Sequence, residues 1–132
     1  MRLKSFAEGN WYESSGSAVD LLSAVNGEKI AEISSDGLDF SSMLTYGRST
    51  GSAALRKMTF HQRGRMLKEL AVYLMNRKKE FYPISYHTGA TKTDSWIDIE
   101  GGISTLFVYA SKGRREMPDE LFYVDGNMEA IS

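Results

Sequence analysis

Thr88-Gly89 followed by Ala90-Thr91-Lys92-Thr93-Asp94-Ser95-Trp96-Ile97-Asp98-Ile99-Glu100-Gly101-Gly102 fixes the organisation of the second half of this chain. The Thr-Gly pair closes one amphipathic helical segment, because glycine adopts the left-handed conformation that ends a helix without a Cβ penalty. A second helix opens just beyond it, with Asp94 or Thr93 as its expected cap, and reaches Lys112. Trp96, Ile99, Ile103, Leu106 and Ala110 step by threes and fours, which predicts one continuous apolar stripe. Gly101-Gly102 in mid-helix costs roughly 1 kcal/mol per glycine relative to alanine, so a close approach by another backbone is expected there.

The preceding region reads as two more helical segments. Asp39 or Ser41 caps one running from 39 to 56 through Met43 and Leu44, with Gly51 weakening its second half. Thr59-Phe60-His61-Gln62 has the form of a capping box, and Leu67, Leu70, Ala71 and Leu74 follow at helical spacing. Pro83 cannot continue that helix, because it lacks an N–H and clashes with the preceding turn. A break between Asn76 and Lys79 is therefore expected, with Pro83 in the first turn of a short helix that stops at Gly89.

Ahead of the helices, residues 5–34 predict a β-hairpin or a meander of two or three short strands. Trp11-Tyr12 favour a pleated, half-buried surface, Ser14 to Ser17 read as a turn cluster, and Asn26-Gly27 is a tight-hairpin signal. After Gly113, Arg114 to Pro118 read as a linker, and Leu121 to Val124 with Asp125-Gly126 as a strand and turn. The fold class that results is mainly α with an N-terminal β-hairpin or meander: 5–34 strands, 39–112 helical, 113–132 linker and the start of an extended element.

Composition narrows the functional classes. Sixteen basic and 17 acidic residues give a formal net charge of −1, which offers no field for nucleic acid or an anionic membrane. No apolar run is long enough to span a bilayer, since Lys68 and Glu69 interrupt the one from Leu67 to Met75. Met1 to Ser5 lack the apolar core of a signal peptide, so a cytoplasmic location is expected. The chain has no cysteine, which removes disulfides, thiolate catalysis and cysteine-ligated metal from these 132 residues.

Several blocks, taken in order, resemble the beginning of an aldehyde dehydrogenase. They are Val25 to Ile33, Thr59 to Leu74, Thr88-Gly89 and Ile103 to Ala110. Met58-Thr59-Phe60, Thr88 to Thr91, Asp94-Ser95-Trp96, Asp98 to Ile103 and Thr105-Leu106-Phe107 are most similar to the ring-opening branch of phenylacetate degradation, the PaaZ type. The resemblance covers nearly the whole chain. It implies a much longer polypeptide, with a dehydrogenase part that oxidises a coenzyme A-linked semialdehyde with NADP (or NAD) and a C-terminal hydratase-like part. It also implies that these helices cover one face of a Rossmann-like cofactor sheet, and that residues 113–132 begin an oligomerisation arm.

What the family needs for catalysis is a cysteine nucleophile, a glutamate base and an asparagine oxyanion donor. By resemblance all three lie beyond Ser132, as does the cofactor site. The expected sites are therefore none: no catalytic, cofactor-binding or metal residue is assigned, and the chain alone is expected to be inactive. His61 reads as an exposed first-turn residue, and His87 as a partner for the last carbonyls of its helix. Asp94, Asp98 and Glu100 read as capping and a solvated face, since like charges one turn apart repel. Trp96 and Phe107 read as core aromatics. Arg114-Arg115 carry charge suited to a phosphate of coenzyme A, against the blander reading of a solvated linker. Gly9, Gly16, Gly27 and Gly37 do not compose a phosphate loop.

The expected partners are the rest of the parent dehydrogenase and further copies of the chain, associating through exposed apolar helix faces. The contrasting reading is a stand-alone helical interaction module using the Trp96 stripe. The halt inside an apparent strand at Ser132 counts against that module.

Overall fold

The computed structural model describes residues 1–124 as two compact units. The first comprises Met1–Ala53 with Glu80–Ser95, and the second Ala54–Lys79 with the chain from Trp96 onward. The chain is mostly helical, with two small antiparallel hairpins.

In the first unit, β1 (Ser5–Ala7) pairs with β2 (Asn10–Tyr12), and β3 (Val19–Leu22) with β4 (Lys29–Ile33). The β1–β2 turn is Glu8-Gly9 with φ of 51° and 82°. Two successive positive φ values match the right-handed twist of the flanking strands. Phe6 faces Trp11 across the ladder, ring edge to ring face at 5.2 Å. The strands do not form a meander, because β2 and β3 belong to separate sheets. In the segment between them, the carbonyls of Ser14 and Gly16 accept from the Arg2 guanidinium at 2.6 Å and 3.0 Å. Met1 and Leu3 instead bond the backbone of Glu32, in a parallel bridge beside β4.

Asn26-Gly27 does connect β3 to β4, but in a loop of residues 23–28 and not in a two-residue turn. Ser23 bonds Glu28, Gly27 adopts φ 73°, and the Asn26 side chain accepts from the Glu28 N–H at 3.1 Å. A bulge between Leu21 and Leu22 accompanies this longer closure.

The helices follow their caps. Asp39 accepts from the N–H groups of Ser41 and Ser42 and starts α1 (Phe40–Tyr46). A π-helical turn, Gly47–Gly51, then leads into α2 (Ser52–Arg56). In the second unit α3 (Phe60–Asn76) begins at the expected capping box, with Thr59 and Gln62 bonding reciprocally. α3 ends at Asn76, and Pro83 lies in the first turn of α4 (Tyr82–Tyr86), which closes at Gly89 with φ 81°. The cap of α5 (Lys92–Trp96) is neither Asp94 nor Thr93 but Thr91. Its hydroxyl accepts from the Asp94 N–H while the Asp94 carboxylate accepts from the Thr91 N–H.

A second π-helical turn, Ile97–Gly101, precedes α6 (Gly102–Arg115). This turn corrects the stripe that periodicity predicted. A π turn closes i to i+5 and so holds an extra residue, which puts the residues before it out of phase with those after it. Ile103 and Ala110 are buried as expected, whereas Trp96, ahead of the turn, is 55% exposed. Gly101 and Gly102 are not sites of close approach either, for a Cβ at either position would meet nothing within 4 Å.

α3 and α6 pack together and form the centre of the second unit. Three of the four residues buried on these helices are small, Gly64 and Ala71 on α3 and Ala110 on α6, and the fourth is Ile103 on α6. Leu70, expected on the inner face of α3, is 45% exposed instead. Small side chains let the two backbones approach, and they leave larger neighbours on the flanks uncovered. The linker expected after Gly113 is helical through Arg115, and Leu121 to Val124 join no ladder among the described residues. The turn expected at Asp125-Gly126 lies outside the described residues.

Candidate functional site

The polar side chains singled out in the sequence are placed by the fold in structural roles. His61 is not exposed as expected. Its Nε2 lies 2.9 Å from the Met117 carbonyl and its Nδ1 3.7 Å from the Asp119 carboxylate. A carbonyl cannot donate, so Nε2 carries the proton in that contact. Thr59 donates to Asp119, and the Phe60 N–H donates to the Glu120 carbonyl at 3.0 Å, so the first turn of α3 fastens the segment after α6.

His87 does not serve the last carbonyls of its helix through its ring. Nδ1 lies 3.1 Å from the hydroxyl of buried Ser23, and its carbonyl accepts from the Ala24 N–H at 2.8 Å. A serine–histidine contact is the beginning of a nucleophilic pair. Here the serine is 2% exposed and its oxygen also accepts from the Val25 N–H, so the contact fixes the loop between β3 and β4. The buried Ser85 hydroxyl donates to Ser95 at 2.9 Å and joins α4 to α5 in the same unit.

The acidic group is dispersed. Asp94 is absorbed by the Thr91 cap, and Glu100 pairs with Lys78 at 2.7 Å. No acid–base pair results. Among the described residues no group of three His, Cys, Asp or Glu side chains is placed to hold a metal ion. The glycines do not form a cradle for a dinucleotide phosphate. Gly9 and Gly27 lie in hairpin connections, and Tyr12, whose hydroxyl donates to the Asp36 carbonyl at 3.0 Å, fills the space beside Gly37. No chemical step is assigned to the described residues.

The remaining concave features are open recesses. On the second unit, Arg65, Lys68, Glu69, Val72, Tyr73 and Arg114 line one of about 510 Å³. Lys68 and Arg114 also line its neighbour of about 330 Å³, with Phe107 and Ala110 behind them. Arg114 and Arg115 belong to the last turn of α6 and not to a linker, and both are exposed there. Sequence reasoning missed Arg65 and Lys68 as their companions, because only the packing of α3 on α6 brings the three together. The i, i+3 spacing of Arg65 and Lys68 was the available signal.

The electrostatic feature on the first unit is structural. Lys29 Nζ lies 2.6 Å from Glu32 and 2.8 Å from Asp20. Its hydrogen bond to Asp20, reinforced by that to Glu32, raises the ammonium above its ordinary value, and the hydrogen bond from Lys29 holds the Glu32 carboxyl below its own. Among the described residues no helix is long and apolar enough to cross a membrane.

The model of the "Aldehyde dehydrogenase family" matches residues 11–131. A 3,4-dehydroadipyl-CoA semialdehyde dehydrogenase from Aromatoleum evansii is 35% identical over 115 residues, which cover 86% of this chain. The chain spans 22% of that relative's length. On the family match over nearly its whole length, this chain belongs to the aldehyde dehydrogenase family.

Proposed function

We propose that this chain is the N-terminal part of a nicotinamide-dependent aldehyde dehydrogenase that oxidises a coenzyme A-linked semialdehyde in phenylacetate degradation. The observation that carries the reading is the 35% identity, across 86% of the chain, to a dehydrogenase named for such a substrate. The absence of cysteine supports a catalytic thiolate supplied from outside these residues. The nucleophile, the base, the oxyanion donor and the NADP (or NAD) site are supplied by sequence outside these 132 residues, and the chain alone is inactive. The helices then serve as cover for a Rossmann-like cofactor sheet, residues 113–132 lead into an oligomerisation arm, and the whole enzyme works in the cytoplasm. The uncovered side chains of Leu70, Trp96, Ile97, Val108 and Tyr109 support that role as cover.

The test is the reading frame downstream of the Ser132 codon, expressed in full. The expected product carries a cysteine whose replacement by alanine abolishes NADP or NAD reduction with 3,4-dehydroadipyl-CoA semialdehyde. Turnover by the 132-residue chain alone, or a frame with no such cysteine, overturns the proposal.

A further inference from the structure

α3 and α6 bring together three cations that have no anionic partner among the described residues. Arg65 and Lys68 stand one turn apart on α3, and Arg114 reaches the same recess from the last turn of α6. Glu69 is the single carboxylate in that lining, and it makes no ion pair with Arg65 despite the i, i+4 spacing that permits one. Two guanidinium forks and an ammonium in one recess suit an anion with several oxygens. Arginine binds phosphoryl oxygens in pairs, and lysine adds a compact charge. The wall beside them is apolar and aromatic, formed by Val72 and Tyr73. The Tyr73 ring is already flanked by the Arg77 guanidinium, 5.1 Å from its centre. An aromatic face next to phosphate-binding cations accommodates a nucleobase.

We propose that this recess binds the phosphorylated adenosine end of a coenzyme A thioester, with Arg65, Lys68 and Arg114 on its phosphoryl groups and Tyr73 beside the base. The inference rests on the coenzyme A-linked reading above and names the part of the chain that would recognise that substrate. Gly64 contributes to the geometry. The missing side chain lets the stem of Arg114 lie against α3, with its Cγ 3.2 Å from where a Cβ would stand.

The test is calorimetric titration of the 132-residue chain with coenzyme A, adenosine 3′,5′-bisphosphate and inorganic pyrophosphate. Saturable binding of the first two is expected, tighter than that of pyrophosphate. The double change R65Q/R114Q should weaken it about tenfold, as the loss of two partly exposed charge contacts requires. R65K/R114K should retain most of the binding, E69Q should tighten it, and K92Q, on α5, should leave it unchanged. Equal helical circular dichroism among the variants separates lost contacts from lost folding. Binding that is unaltered in R65Q/R114Q, pyrophosphate binding as tight as that of coenzyme A, or no saturable binding overturns the inference. An expressed full frame that is active on the semialdehyde, with an unchanged KM in R65Q/R114Q, would also overturn it while leaving the proposed function standing.

Discussion

Replacing Gly64 by alanine sets two known effects against each other at one atom. Alanine is the better helix former by about 1 kcal/mol, so in an open helix the change stabilises. Gly64 is buried in the contact between α3 and α6, where its Cβ would lie 3.0 Å from the Ala110 carbonyl oxygen and 3.2 Å from Arg114 Cγ. The arginine stem can move. The carbonyl belongs to the backbone of α6 and yields only if the two helices separate. Forcing an extra methyl into a packed contact costs about 1–3 kcal/mol, so the expected net loss is about 1 kcal/mol, near a fivefold change in the folded-to-unfolded ratio. Gly102→Ala is the control, because a Cβ there meets nothing within 4 Å and only the propensity gain remains. Urea unfolding followed by helical circular dichroism should move the midpoint down for Gly64→Ala and up for Gly102→Ala at unchanged slope. A midpoint that rises for Gly64→Ala would refute the packing argument.

Two further outcomes are expected. The hairpin of β3 and β4 should hold a pH plateau set by Lys29. Because the folded Glu32 carboxyl lies below its ordinary value, its contribution is present above the ordinary glutamate range and is lost as pH falls through the depressed value. Lys29 is raised, so its contribution is present up to the ordinary lysine value and is lost as pH rises beyond the folded one. Amide exchange across Val19–Ile33 should show both limbs, and Glu32→Gln should remove the acid one; an unchanged acid limb would assign it elsewhere. The exposed Val19 and Leu22 on β3, and Val108 and Tyr109 on α6, should drive self-association of the isolated chain. Light scattering at micromolar concentration should therefore give a mass above 14.8 kDa, and a sharp monomer would remove that expectation.

The elements whose signal is local were legible in the residues themselves. Asp39 and the Thr59–Gln62 box start helices because their side chains satisfy N–H groups two or three residues away. Pro83 and Gly89 punctuate for equally local reasons. The family was legible too, since its motifs are strings of neighbours. The cap at Thr91 escaped because Thr91, Thr93 and Asp94 all qualify within four residues, and only the observed hydrogen bonds select one.

What the residues did not decide was phase and partnership. The π turn at Ile97–Gly101 shifts the stripe and leaves Trp96 outside, a change of one residue that a 3.6 period cannot register. Arg2 binds the Ser14 and Gly16 carbonyls through contacts 12 and 14 residues distant. His61 finds Met117 across 56 residues, and Arg65, Lys68 and Arg114 share a recess only because α3 lies on α6. Capping and turn chemistry act over one turn of chain and are written in its order. Phase slips and long-range polar contacts depend on which surfaces meet, and that is settled by packing.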